Sequence, residues 1–441
     1  MGDTCAMGPV EGAPRSPFEM IAVDKAQKII LSRTEPLPAT TRPLEAVAGC
    51  VAAGDVAARE DLPQYPTSIK DGYAVVAADG PGEYPVVAEV RAGAGTGHRI
   101  APGQVAYITT GSPLPEGADA VVMVEQSVKL DAGADGVPRV RIASAATPGL
   151  DVRQVGGDMA AGTTVLCAGE YIGAPEVGIL ATVGAVQVPV HSAPSVAVLS
   201  TGDEVVDPSA TELKPGQVRD SNRALLVALL KQSGAHISDL GIAADTLQGL
   251  IDTLKGAIAG GAHVVVTSGG VSMGDRDYVK AALDALGGTI HFGRVLMKPG
   301  KPLVYATIPG GTHGAPVHFF GLPGNPVSSF VTFHLAVAPC LKKLAGFGRA
   351  KGDAACTLPR VRVKLGFTAK LDPERPEYHR AGLTFDAEGG CFVAHTTGGQ
   401  ASSRLLSVRS ASALLVMPQR AGTLPEGEWV DALLLHGPTL M

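Results

Sequence analysis

The sequence predicts a multidomain protein of the α/β and β classes. Three observations carry this. From Pro194 to Gly346, short apolar runs alternate with segments of helical periodicity. From Asp55 to Val128, and again beyond Lys351, apolar stretches are separated by Gly and Pro turns. The chain has 441 residues, 45% of them hydrophobic, with 56 Gly and 33 Pro. It is long enough for several compact units and too rich in turns for a helical protein.

The elements follow in order. Met1–Ser16 is small and contains Gly and Pro, so a disordered tail is expected. Phe18, Ile21, Ala22, Ala26, Ile29 and Ile30 recur at helical spacing and predict an amphipathic helix over Pro17–Ser32. Thr147–Val190 is turn-rich, with one helix expected near Glu176–Val183. SVAVLS then reads as a buried strand. SNRALLVALLKQSG reads as a helix capped by Ser221 or Asn222 and stopped by Gly234. Asp245 or Thr246 caps the next helix, AHVVVTSGG is a strand and DYVKAALDALGG a helix. PLVYA is a strand, VHFFGLPGNP runs from strand into loop, and PVSSFVTFHLAVAPCLKKLAG is a long last helix with Pro326 in its first turn. Such alternation predicts a parallel sheet covered on both faces.

Net charge is −6, which gives no global attraction to nucleic acid or anionic membrane. Cys5, Cys50, Cys167, Cys340, Cys356 and Cys391 are scattered without CxxC spacing. That argues against a disulfide framework or structural zinc and fits a reducing, cytoplasmic compartment. No segment resembles a signal peptide, and no apolar run approaches the ~20 residues of a membrane span. Two tracts lack acidic residues. Ala285–Gly352 carries Arg294, Lys298, Lys301, Lys342, Lys343, Arg349 and Lys351, and Gly389–Pro425 carries Arg404, Arg409 and Arg420. An acidic chain with basic tracts suggests a locally bound small anion; chance clustering on the surface is the alternative.

Ligands of open α/β sheets bind outside the carboxyl ends of the strands. Here those ends lead into STGDE (Ser200–Glu204), TSGGVSMGDRD (Thr267–Asp277) and GLPGNPVSS (Gly321–Ser329). Glycines let backbone N–H groups approach an anion, and Ser272 and Ser328 can donate hydroxyl hydrogens. Asp203, Glu204, Asp275 and Asp277 are oxygen ligands of the kind Mg2+ takes beside a phosphate, or else helix caps. In RVLMKPGKPLVY (Arg294–Tyr305), Lys298 and Lys301 sit in a loop stiffened by Pro299, Gly300 and Pro302. Their repulsion becomes a charge match around a tetrahedral oxyanion, and solvated surface lysines are the alternative.

TSGGVSMGDRDYVK, RVLMKPGKPLVYA and FGLPGNPVSS together resemble the molybdenum insertase family, which includes bacterial MoeA and the E domains of gephyrin and the plant Cnx-type proteins. QYPTSIKDGYAVVAADGPGEYPV, YITTGSPLPEGADAVVMVE, VRQVGGDM, STGDE and RPEYHR…QASSRLL match in the same order. The resemblance runs from Phe18 to the C-terminus and is closest to the eukaryotic type.

The resemblance implies a MoeA-like fold: an elongated dimerisation domain from residues 17–52 and 148–190, an inserted β domain (53–147), a three-layer α/β molybdopterin-binding domain (191–350) and a C-terminal β domain (351–441). It implies a homodimer that inserts molybdate into adenylylated molybdopterin and releases molybdenum cofactor and AMP, with Mg2+ as the ion. Carried over by position, Lys298, Lys301, Ser328, Arg375 and Ser402 line the molybdate pocket, and Pro302 shapes it. Thr110, Ser268, Gly269, Gly270, Ser272, Gly274, Asp275, Pro323, Gly324 and Asn325 meet molybdopterin-AMP. Asp277, Asp203 and Glu204 hold the metal. Asp277, Lys301, Ser272, Asp71 and Asp158 carry the reaction, although Asp71 in KDGY also suits a turn and Asp158 a cap.

One rival is a molybdopterin adenylyltransferase, which shares TSGG-type loops but lacks the DGYA lobe and the β tail. Another is a receptor-clustering scaffold of the gephyrin type, which has no need of paired lysines. A molybdopterin-adenylylating G-type domain or protein is expected as the partner that supplies the substrate. No nucleic-acid partner is expected.

Overall fold

The computed structural model describes residues 18–93, 95, 97–244, 246–270 and 278–435. The expected tail, the Asp245 cap and the loop residues Ser272, Gly274, Asp275 and Asp277 lie outside them. The chain divides into two compact units. One reaches to Gly54, takes in Ala168–Gly173 and resumes at Pro189; the other comprises Asp55–Cys167 and Ala174–Val188.

In the first unit the chain forms β1 (Ile21–Ala22), α1 (Val23–Ser32), β2 (Ser195–Thr201), α2 (Ser221–Gln232), β3 (His236–Ala243) and α3 (Leu247–Ala259). It continues as β4 (Val264–Ser268), α4 (Tyr278–Ala285), β5 (Thr289–Leu296), β6 (Pro302–Ile308) and β7 (Val317–Leu322). These strands make one sheet in the order β1-β5-β6-β7-β4-β2-β3. The period of two along each strand sends neighbours to opposite faces. Val196, Val198, Val264 and Val266 pack with Leu226 and Leu230 of α2, while Ala197, Leu199 and Val265 pack with Leu250 and Leu254 of α3 and Leu283 of α4. Three layers result.

The sheet is not wholly parallel. β2, β3, β4 and β7 run parallel, but β6 is antiparallel to both β5 and β7. Only Met297–Lys301 joins β5 to β6, and a parallel crossover needs a dozen or so residues. The KPGK segment is therefore a hairpin turn. The first helix starts at Val23 rather than Pro17, because Ile21 and Ala22 pair with Val295 and Leu296 as an edge strand. The cap of α2 is Asp220, one residue before the expected Ser221 or Asn222, and its carboxylate accepts the Arg223 N–H. Thr246 caps α3 as expected.

The long last helix comprises α5 (Pro326–Thr332), a π turn over Phe333–Val337 and α6 (Ala338–Leu344). Pro339 has no N–H to give the carbonyl four residues earlier. That carbonyl, on Leu335, instead accepts the Gln27 side-chain amide at 2.9 Å. Beyond it, β8 (Arg360–Leu365), β9 (Glu377–Asp386), β10 (Cys391–Thr396), β11 (Ala413–Met417) and β12 (Trp429–Leu434) close a barrel in the order β8-β10-β9-β11-β12. Val363, Ala381, Ala394, Leu415 and Ala432 fill it.

The second unit is built on a sheet of six strands with apolar residues on both faces, Tyr73, Val105 and Val122 on one and Ala74, Ile108 and Val121 on the other. Gly72 of the DGYA motif belongs to the strand Gly72–Val75, where a Cβ would collide with the Val122 carbonyl oxygen. Close strand approach requires that glycine. The helix expected near Glu176 spans Ala174–Thr182.

Candidate active site

The carboxyl ends of the central strands are in register: Ser200 pairs with Ser268, and Ser268 with Leu322. The loops that leave them line a cavity of about 700 Å3. Ser268, Gly269, Gly270, Pro323, Gly324 and Asn325, all expected to meet the substrate, line it together, as do Glu204 and Pro302. Gly269 and Gly270 have φ of 87° and 69°, and a Cβ on Gly269 would meet the Thr201 carbonyl oxygen at 2.6 Å. Only glycine lets the loop turn this close to β2.

Asn222, at the start of α2, ties two of the loops together. Its amide donates to Ser268 Oγ at 2.6 Å and to the Gly324 carbonyl at 2.7 Å. Its buried Oδ1 has no hydrogen-bond partner, which leaves one acceptor beside the cavity. The sequence suggested Asn222 only as a cap; Asp220 takes that role, and the Asn222 side chain is free to bridge. Asp203 and Glu204 are exposed. Among the described residues no three His, Cys, Asp or Glu side chains cluster as a metal site would require.

The hairpin between β5 and β6 carries the paired lysines. Gly300 has φ of 106°, and a Cβ there would meet Thr332 Cγ2 at 2.7 Å. The barrel clasps this hairpin: Lys298 N–H donates to the Pro376 carbonyl at 2.9 Å, and Tyr378 N–H donates to the Lys298 carbonyl at 2.7 Å. Arg375 Nη1 donates to the Met297 carbonyl at 3.4 Å. Val327 N–H donates to the Ser402 carbonyl at 3.1 Å, which brings Ser402 beside the helix that carries the buried Ser328.

The two lysines are not equivalent. Lys298 Nζ lies 3.2 Å from both Asp372 and Glu377, whereas Lys301 has no ion-pair partner among the described residues. The reading of an acid-free pair needs this correction. Its tract lacks acids along the chain, but folding brings two carboxylates to it from the barrel. Burial opposes the Lys298 ammonium, yet Glu377 and Asp372 outweigh it and raise its pKa. Burial likewise opposes the Glu377 carboxylate, but His379 and Lys298 hold its pKa below the ordinary glutamate value. Glu377 lies inside the quoted RPEYHR motif; nothing in the sequence marked Asp372.

In the second unit, Asp71 Oδ1 accepts two hydrogen bonds from Thr110, from N–H at 2.7 Å and from Oγ1 at 2.9 Å. The backbone bond, followed by the hydroxyl, lowers the Asp71 pKa. Asp158 forms an exposed ion pair with Arg153 at 3.1 Å.

Three family models match along the chain: the MoeA N-terminal region (domain I and II) over residues 21–184, a probable molybdopterin binding domain over 197–343, and the MoeA C-terminal region (domain IV) over 362–435. Gephyrin of Dictyostelium discoideum is 40% identical across 97% of this chain, which spans 64% of that protein's length. A molybdopterin molybdenumtransferase of Nostoc sp. is 38% identical, with 90% of this chain and 88% of that protein covered. A crystal structure of a molybdopterin biosynthesis MoeA protein from Pyrococcus horikoshii superposes with a TM-score of 0.76 at 29% identity, covering 95% of this chain and all of that one. The chain belongs to the MoeA family of molybdopterin molybdenumtransferases.

Proposed function

We propose that this chain is a molybdopterin molybdotransferase, inserting molybdate into adenylylated molybdopterin and hydrolysing the adenylate to release molybdenum cofactor and AMP. Family membership along the whole described chain supports the reaction. One observation carries the choice of site: the barrel clasps the hairpin that bears Lys301, Arg375 Nη1 donates to the Met297 carbonyl at the start of that hairpin, and Lys301 has no ion-pair partner among the described residues. A tetrahedral dianion needs charged donors and hydroxyls. Lys298 completes the pocket, its ammonium held in place by Asp372 and Glu377. Pro302 lines the neighbouring cavity, which receives molybdopterin-AMP. Ser272, Gly274, Asp275, Thr110, Asp71 and Asp158 keep the roles that the resemblance implies.

Mg2+ is the ion of this reading. It binds through one or two carboxylates plus substrate phosphates, so Asp203 and Glu204 with Asp277 are a fitting oxygen set. Bound there, it would offset the charge of the adenylate phosphate. We further propose a cytoplasmic homodimer, an adenylylating partner that supplies the substrate, and the domain boundaries given by sequence. The MoeA N- and C-terminal regions speak against a lone adenylyltransferase.

Calorimetric titration with molybdate tests the site. Removing one charge-assisted hydrogen bond costs about 1.5–3 kcal/mol, so Lys301→Ala should bind molybdate roughly tenfold to hundredfold more weakly. Lys301→Arg should recover part of that, since a planar fork places its donors differently. Wild-type affinity in Lys301→Ala would remove Lys301 from the pocket.

A further inference from the structure

The first unit has a second cavity, at the other end of its sheet. About 500 Å3 in volume, it lies against Ala193 and Pro194, which lead into β2, and Gly234, which leads towards β3. The substrate loops leave the opposite ends of those strands. Three cations line it: Arg42 from the strand Ala39–Pro43, Lys231 from the last turn of α2 and Lys342 from α6. No Asp or Glu lines it, and none of the three cations has an ion-pair partner among the described residues. Arg42 Nη1 donates a long hydrogen bond to Cys50 Sγ at 3.9 Å. Lys342 is partly buried, and that burial lowers its pKa.

His191 also lines the cavity and is only 6% exposed. Its Nδ1 lies 2.7 Å from the Leu37 carbonyl, so Nδ1 carries the hydrogen. Its Nε2 is buried without any hydrogen-bond partner. The remaining wall is largely apolar, with Phe333, Leu341 and the paired rings of Tyr171 and Phe347. Helix C-termini favour lysines, which accounts for Lys231 and Lys342. It does not account for Arg42 on a strand or for the absence of carboxylates from the lining.

We propose that this cavity binds a small organic anion with an apolar body, an aryl or alkyl phosphate or carboxylate, at a site separate from the substrate loops. The anionic group meets Arg42, Lys231 and Lys342, and the apolar body lies against the aromatic wall. The volume falls within the roughly 300–1,000 Å3 of small-molecule pockets and is far larger than an inorganic oxyanion needs. Such a ligand offsets the burial of Lys342, which has no ion-pair partner among the described residues.

The test is calorimetric titration of the full chain with phenyl phosphate in the presence of saturating molybdate. One site is expected, with inorganic phosphate binding at least roughly tenfold more weakly for want of the apolar contact. Lys342→Met and Arg42→Gln should each weaken phenyl phosphate roughly tenfold or more, and Lys301→Ala should leave it unchanged. Lys342→Met removes a desolvated charge and should fold well; the exposed Lys231→Gln gives a third, independent reading. The proposal is overturned if phenyl phosphate does not bind, if all three cavity variants bind it like wild type, or if Lys301→Ala alone abolishes binding.

Discussion

Lys298 and Glu377 are joined twice. Their side chains meet at 3.2 Å, and their backbones form a parallel bridge between the β5–β6 hairpin and the barrel. The contact fixes the position of the hairpin relative to Arg375 and couples the proposed molybdate pocket to the protonation of one glutamate.

That coupling predicts a pH dependence. The Glu377 pKa is lower in the folded chain than the ordinary value. Such a carboxylate adds stability above its unfolded pKa and loses it as pH falls through the folded one. Wild type should therefore lose stability below about pH 4.3 more steeply than Glu377→Gln. At neutral pH, Glu377→Gln should cost about 1–2 kcal/mol. The cost is moderate because Lys298 is 39% exposed and keeps Asp372. Thermal melts across the acid range decide this, and parallel curves for the two proteins would refute it.

Gly300 tests the shape of the hairpin. Its φ of 106° and the Thr332 methyl 2.7 Å from a would-be Cβ both oppose a side chain. Gly300→Ala should destabilise the protein by about 2–4 kcal/mol, from left-handed strain plus overpacking. Molybdate affinity should fall with it. A melting temperature like that of wild type would mean that the hairpin shifts at no cost.

Asn222→Ala removes the bridge between two cavity loops. Ser268 is buried and loses its donor, whereas the Gly324 carbonyl lies at an exposed residue and can hydrate. A loss of about 1–2 kcal/mol in stability is expected, together with weaker binding of AMP. AMP titration that matches wild type would show that the bridge only supports the fold.

Asp71→Asn separates charge from geometry. Asparagine Oδ1 can still accept both Thr110 hydrogen bonds, so the melting temperature should hold. Release of AMP should slow if the charge takes part. Because Thr110 lowers the Asp71 pKa, the wild-type rate should show no loss from Asp71 protonation until pH falls below the ordinary aspartate range. Unchanged AMP release in Asp71→Asn would assign Asp71 to the turn alone.

Much of this molecule was legible in the sequence, because local rules dominate there. Periodicity marked α2, α3, β2, β4 and the long last helix, and strand-end glycines marked Gly269 and Gly270, whose positive φ only glycine tolerates. The alternation of strands and helices suggested a parallel sheet, and the KPGK connection was recognised as a hairpin only once β6 was seen paired antiparallel to both neighbours. Long-range pairing decided the rest. Ile21 and Ala22 left the helix because β5 offered an edge. Pro339 forced a π turn that Gln27, far away in sequence, completes. Most telling is Lys298, which lies in a tract without acids but receives two carboxylates from the barrel. Charge along a chain follows from its sequence; charge around a side chain depends on which distant segments the core brings within about 4 Å.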